Sequence, residues 1–283
     1  MKNAAKTTLL LGIMTGLFLA VGYWLGGRSG MILALVFAFI SNFAMYWWSG
    51  SIVLKMQGAQ PLDTKTYPQI EKMVQELAMK DNLPMPRLFF VDTPIPNAFA
   101  TGRNPAHAVV AVTRGITEIL DDNELKAVIA HELGHVKNND MLVSTLAATI
   151  GGAISSIAQM AMFFGGSDED APNPIAAIAL MILAPFAAMM IQMAVSRSRE
   201  FGADDHGAEL MNGGKYLASA LEKLEAFKPA LREYQPSPNQ EATNHLMFVN
   251  LFNAQGLSSL FSTHPSTAAR VERLLSRDQG RLR

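Results

Sequence analysis

Two histidines bracket a glutamate in the run His131-Glu132-Leu133-Gly134-His135, the sharpest chemical signal in the chain. On an α-helix, four residues turn the chain by about 400° and raise it by about 6 Å, so both imidazoles leave one face and can meet a single Zn2+ at about 2 Å. Glu132 lies about 100° round that helix, where it can hold and deprotonate a water at the metal. The chain has no cysteine, so any further zinc ligand must be His, Asp or Glu. Glu200 and Asp204 stand at i, i+4, so one carboxylate can bind the metal while the other orients a ligand histidine from behind. Glu209 is the next candidate. The implied cofactor is one Zn2+ per chain. His264, ahead of Pro265, is a candidate donor to a developing oxyanion, with a purely structural histidine as the alternative. His107, His206 and His245 read as structural, His206 being the nearest of them to the motif.

The elements that must position these groups include membrane spans. Hydrophobic residues make up 49% of the 283 and charged residues 17%, a composition apolar enough for lipid-facing segments. A net charge of -1 with no basic block argues against nucleic acid as a partner. The lack of cysteine also removes disulfides and a thiolate nucleophile, and fits a reducing compartment. Apolar runs at Thr8 to Leu25 and Met31 to Trp48, joined by Gly26 to Gly30, read as a transmembrane hairpin; Met141 to Phe164 and Ile175 to Val195 read as a second. The alternative for the second pair is a buried helical hairpin of a soluble domain. Lys2, Lys6, Lys55, Lys65, Lys137, Arg197 and Arg199 flank the spans on one side, whereas the other side offers Arg28 and the acidic trio Asp168, Glu169 and Asp170. Both termini and both soluble segments are therefore expected in the cytoplasm.

Between the hairpins, Tyr67, Ile70, Met73, Val74 and Leu77 recur at helical spacing over Thr66 to Lys80. Two β-like runs follow, Arg87 to Asp92 and His107 to Val112, with Asn97 to Gly102 between them as a short or edge strand. Asp121 and Glu124 have capping-box spacing at the head of the motif helix, which meets no Gly or Pro between Gly134 and Gly151 and is expected to run on into the third span. Helices are expected over Glu200 to Met211, Gly214 to Phe227 and Ser266 to Arg277, with a polar loop from Lys228 to Asn244. The expected fold is a mainly α membrane protein, with four transmembrane helices in two hairpins and a mostly helical protease domain carrying a small β-sheet. In chain order these are a transmembrane hairpin (1–50), the protease segment with the motif helix (51–140), a second hairpin (141–195) and the protease segment with Glu200 (196–283).

Four strings together resemble the HtpX family of heat-shock membrane metalloproteases: His131 to His135, Ser196 to Asp204, Asn97 to Gly102, and Thr263-His264-Pro265. The resemblance extends over essentially the whole chain, and the broader relatives are membrane proteases that process prenylated CAAX proteins. It implies a gluzincin-type core, Glu200 as the third ligand with Asp204 behind a histidine, and quality control of damaged or misassembled membrane proteins in a bacterial inner membrane. Implied partners are membrane-protein substrates, the bilayer and other membrane quality-control proteases. Asn97, Ala98 and Phe99 resemble the family's edge segment, which would hold extended substrate by main-chain bonds. Ser266 stands where that family's pattern has a second proline. Two alternative functions are a CAAX-type processing protease and a catalytically silent scaffold with structural zinc.

Overall fold

The structure, a computed structural model of the chain, describes residues 2–146, 197–231, 247–248 and 265–280. Helix α1 (Lys2–Met56) is two arms joined at a break, because Gly26 (φ -145°, ψ 21°) and Gly27 (φ 55°, ψ -141°) leave helical geometry. The angles at Gly27 suit a residue without a Cβ and strain any other. The arms pair through Asn42, whose Nδ2 donates to Thr15 Oγ1 (2.9 Å) and to the Leu11 carbonyl (3.3 Å). The first pair of apolar runs thus forms a helical hairpin, with its turn at the two glycines.

Its second arm, Gly26–Met56, has 31 residues, about 46 Å of helix, and is long and apolar enough to cross a membrane. Phe39, Ile40, Phe43, Trp47 and Trp48 are exposed along it, whereas Val53 and Leu54 are buried against the sheet. The arm therefore outlasts both the apolar run and the boundary expected at residue 50. Of the second hairpin, only 141–146 lie within the described residues, and they are helical.

Strands β1 (Gln60–Pro61), β2 (Arg87–Val91), β3 (Ala98–Thr101) and β4 (Val109–Thr113) form one mixed sheet in the order β1-β2-β4-β3. β2 and β4 run parallel, while β1 and β3 run antiparallel to their neighbours. The run expected to begin at His107 begins instead at Val109. Pro105–His107 form a 3-10 turn in which the Asn104 side chain accepts the His107 N–H (3.1 Å), and Pro105 has no N–H for a ladder. The segment before it supplies the edge strand β3, as its sequence suggested.

Helix α2 (Pro68–Lys80) buries Ile70, Met73, Val74 and Leu77 in the core. After the short α3 (Arg114–Ile119), α4 (Asp122–Lys137) starts with the expected capping box. Glu124 also accepts from Lys223 Nζ (2.7 Å) and Ser219 Oγ (2.7 Å), which ties α4 to α6 (Lys215–Phe227). α4 does not run into the third span. It ends at Lys137 because Asn139 takes the left-handed conformation (φ 55°), which asparagine tolerates where a glycine is absent. Helices α5 (Arg197–Leu210) and α7 (Thr267–Asp278) complete the described body, each within two residues of its expected bounds except at the start of α5. Ser266 caps α7, its hydroxyl accepting the Ala269 N–H (3.3 Å), so the departure from the proline pattern has a physical use.

Candidate active site

Helix α4 carries the motif, and α5 crosses it at unusually close range. A Cβ on Gly134 would stand 3.2 Å from Ala203 Cα, and one on Gly207 would stand 3.0 Å from the His131 nitrogen. Glycine at both crossing points lets the two backbones approach, and that approach carries the Glu200 carboxylate to the histidines.

His131, His135 and Glu200 each offer a ligand atom, all within 4.8 Å of one another. The two Nε2 atoms are 3.2 Å apart; Glu200 lies 4.0 Å from His131 Nε2 and 3.6 Å from His135 Nε2. Ligands about 2 Å from one ion at tetrahedral angles stand about 3.3 Å apart, so this donor set fits zinc with small adjustments. Each imidazole is held from behind. Asp204 Oδ1 lies 2.9 Å from His131 Nδ1, and Asp140 Oδ2 lies 3.2 Å from His135 Nδ1. These carboxylates leave both Nε2 atoms turned to the shared point, the arrangement that orients metal-binding histidines. Glu209 is exposed and does not join the cluster.

Glu132 is buried beside these three side chains without joining their cluster. Its Oε2 accepts the Ala100 N–H (2.9 Å), which fixes the carboxylate against β3. Burial, reinforced by the Glu200 charge and opposed by His135, pushes its pKa up to about 7. Burial lowers the pKa of His131 to about 4 against the pull of Asp204. For His135, burial also disfavours the charge, but Asp140, Glu200 and Glu132 outweigh it and raise the value to about 9.

Strand alternation decides which groups of the edge segment face the site. Asn97 turns its carbonyl to the Thr113 N–H (3.0 Å) on β4, so the main-chain groups of Ala98 and Ala100 point the opposite way, towards Glu132. The Asn97 carboxamide oxygen accepts the Phe248 N–H (3.0 Å), and the Phe99 ring packs beside Val53 and Leu54. Only Ala98, of the three residues expected to hold substrate, presents its backbone to the site, and Ala100 joins it.

Arg270, buried on α7, went unnoticed in the sequence. Its Nε and Nη2 form a fork on Asp204 (2.8 and 2.7 Å), and Nη1 donates to the Phe248 carbonyl (2.9 Å). The Phe248 ring meets His131 edge-on, with centroids 4.9 Å apart. The Arg270 charge holds the Asp204 carboxyl below its usual range despite the burial that opposes ionisation. A signal was available: Arg270, Val271 and Leu274 share the buried face of α7, an arginine in an apolar stripe.

His206 is bonded to Asp81 (2.8 Å), which also pairs with Lys137, so it staples α2, α4 and α5 outside the metal cluster. His107 bonds Asn104 (2.8 Å) at the surface. His264 and His245 lie outside the described residues.

Residues 64–278 match peptidase family M48. Over 277 residues the chain is 50% identical to a protein named Protease HtpX homolog from Ralstonia nicotianae, covering 97% of this chain and 96% of that one. A protein of the same name from Burkholderia multivorans is 49% identical over 277 residues, 97% of each chain. The crystal structure of S. mikatae Ste24p matches with a TM-score of 0.51 at 20% identity over 96% of this chain, a likeness of fold. The chain spans 64% of the length of Ste24p.

Proposed function

The chain belongs to peptidase family M48 and is a metalloprotease, and on that premise we propose that it is a multi-pass zinc endopeptidase of a bacterial inner membrane. Its substrates are damaged or misfolded membrane proteins, cut on the cytoplasmic side. One observation carries this reading: His131, His135 and Glu200 converge on a point that has Glu132 beside it and β3, which is an edge strand among the described residues. A closed structural site would need neither a buried base nor a strand edge. The exposed apolar surface of Gly26–Met56 and the Lys and Arg asymmetry support the membrane and its sidedness. The domain organisation read from the sequence is retained, with the first hairpin continuing into the protease domain through Val53 and Leu54.

In this reading His131, His135 and Glu200 hold the metal. When bound there, zinc supplies Lewis acidity towards a carbonyl oxygen and towards water. Ala98 and the Ala100 carbonyl hold an extended peptide along β3 by main-chain bonds, while the Ala100 N–H, given to Glu132, keeps that carboxylate beside the scissile bond. Glu132 takes a proton from the attacking water and hands it to the leaving amine, a task suited to a base whose pKa lies near 7. Asp204 and Asp140 keep the histidines oriented. His264 is assigned to the oxyanion on resemblance alone.

The purified, zinc-loaded protein is expected to cleave an unlipidated, destabilised membrane protein at internal bonds. Cleavage confined to prenylated tails would favour CAAX-type processing, and cleavage of neither would leave a scaffold. For sidedness, Ser167→Cys should react with an impermeant thiol reagent applied outside spheroplasts while Ser237→Cys should not. The reverse pattern would overturn the orientation.

A further inference from the structure

The edge strand is anchored to the membrane arm within one or two residues of the catalytic base. Ala100 donates to Glu132. The next residue, Thr101, is fully buried and its hydroxyl bonds that of Thr145 (2.9 Å), close to the start of the third apolar run. Gly102 abuts the second arm: a Cβ on Gly50 would stand 3.4 Å from Gly102 Cα and 3.8 Å from Thr101 Oγ1. Arg103 then stacks on Trp47, its guanidinium 4.4 Å from the ring centroid. From the other face, Phe99 packs with Val53 and Leu54.

These contacts also fix where the strand stands relative to lipid. Trp47 and Trp48 lie near the end of the exposed apolar belt of the arm, one turn before Ile52, and such aromatic residues settle at the membrane interface. Below them the arm is apolar and exposed; beyond Gly50 its Val53 and Leu54 are buried in the protease body, while Ser51, Ile52 and Lys55 stay exposed. In the membrane-protease reading these contacts put the bilayer surface level with the Thr101 end of β3. An extended peptide advances about 3.3 Å per residue, so one lying along β3 with its scissile bond at Glu132 reaches that surface within about two to four residues.

We propose that β3, mounted on Gly50 and Thr145, acts as a height gauge that restricts hydrolysis to juxtamembrane segments, within about five residues of where a substrate span leaves the bilayer. The proposal rests on the membrane-protease reading and names its substrate class. Junctions of this kind are hidden in a well-packed membrane protein, where span ends are held by their neighbours. They become extended and accessible when packing fails, because an extended edge pairs only with a backbone whose own hydrogen bonds are open.

The test uses the full-length, zinc-loaded protein in liposomes with a single-span substrate whose cytoplasmic segment is unstructured and carries one cleavable sequence. In one substrate that sequence adjoins the span; in the other a spacer of about ten residues, roughly 33 Å extended, separates them. The proposal predicts cuts, mapped by mass spectrometry, only near the span, with the distal sequence cut at least about tenfold more slowly. Equal cutting of the distal sequence at its new position overturns it while leaving the protease reading intact. Cutting of neither substrate overturns both. Gly50→Leu, which forces the arm away from Gly102, should scatter or displace the cut positions while zinc content stays at the wild-type level. Unchanged positions in that variant would remove the mount from the proposal.

Discussion

Glu132→Gln is expected to keep fold and zinc content and to lose cleavage by about 10⁴-fold, the upper range for a removed general base. The amide oxygen can still accept the Ala100 N–H, so β3 keeps its place against α4. The three proposed ligands are untouched. The substitution also removes a carboxyl whose charge is disfavoured by burial, so stability should be equal or higher. What disappears is an acceptor for the proton of the attacking water. A variant that retains more than a tenth of the wild-type kcat would contradict the assignment.

The second large effect is expected at Arg270, a residue that touches no substrate. Arg270→Met leaves the Asp204 carboxylate fully buried without the fork that neutralises it, at a cost of about 3–5 kcal/mol. It also frees Asp204 to move away from His131 Nδ1, which should weaken zinc binding by about 10 to 100-fold. Adding Asp204→Asn removes the orphaned charge, so the double variant should recover most of the lost stability in thermal unfolding. It should not recover zinc affinity, because an amide orients the imidazole less strongly than a carboxylate. If Arg270→Met unfolds at the wild-type temperature, Arg270 does not compensate Asp204 in the way described.

The features of the site that could be read from sequence are those fixed by short-range geometry. Two histidines four residues apart share a helix face wherever that helix lies, and the Asp121 to Glu124 box marks its start locally. Glu200 and Asp204 are also i, i+4 on one helix, so their division of labour was open to inspection. Their meeting with α4 was less accessible, since it depends on the close crossing at Gly134 and Gly207.

The residues that escaped notice are tertiary. Asp140 reaches His135 only because α4 stops at Asn138 and Asn139 turns the chain back, a stop that carries neither Gly nor Pro. Phe248 and Arg270 come from distant segments that meet behind His131. Asn97 adjoins the right strand, but only the folded chain shows that its side chain serves Phe248 while the register turns Ala98 and Ala100 to the site. The two-residue strand β1 has no periodicity to detect, and Pro105 shortened the run expected from His107.

The most direct test of the central claim is the zinc content of purified protein after dialysis against a moderate chelator, measured by elemental analysis. The wild type and Glu209→Gln are predicted to retain about one zinc per chain, and Glu200→Gln to lose it, since it removes the charged member of a three-residue ligand set. Full zinc retention in Glu200→Gln together with loss in Glu209→Gln would contradict the ligand assignment on which the mechanism stands.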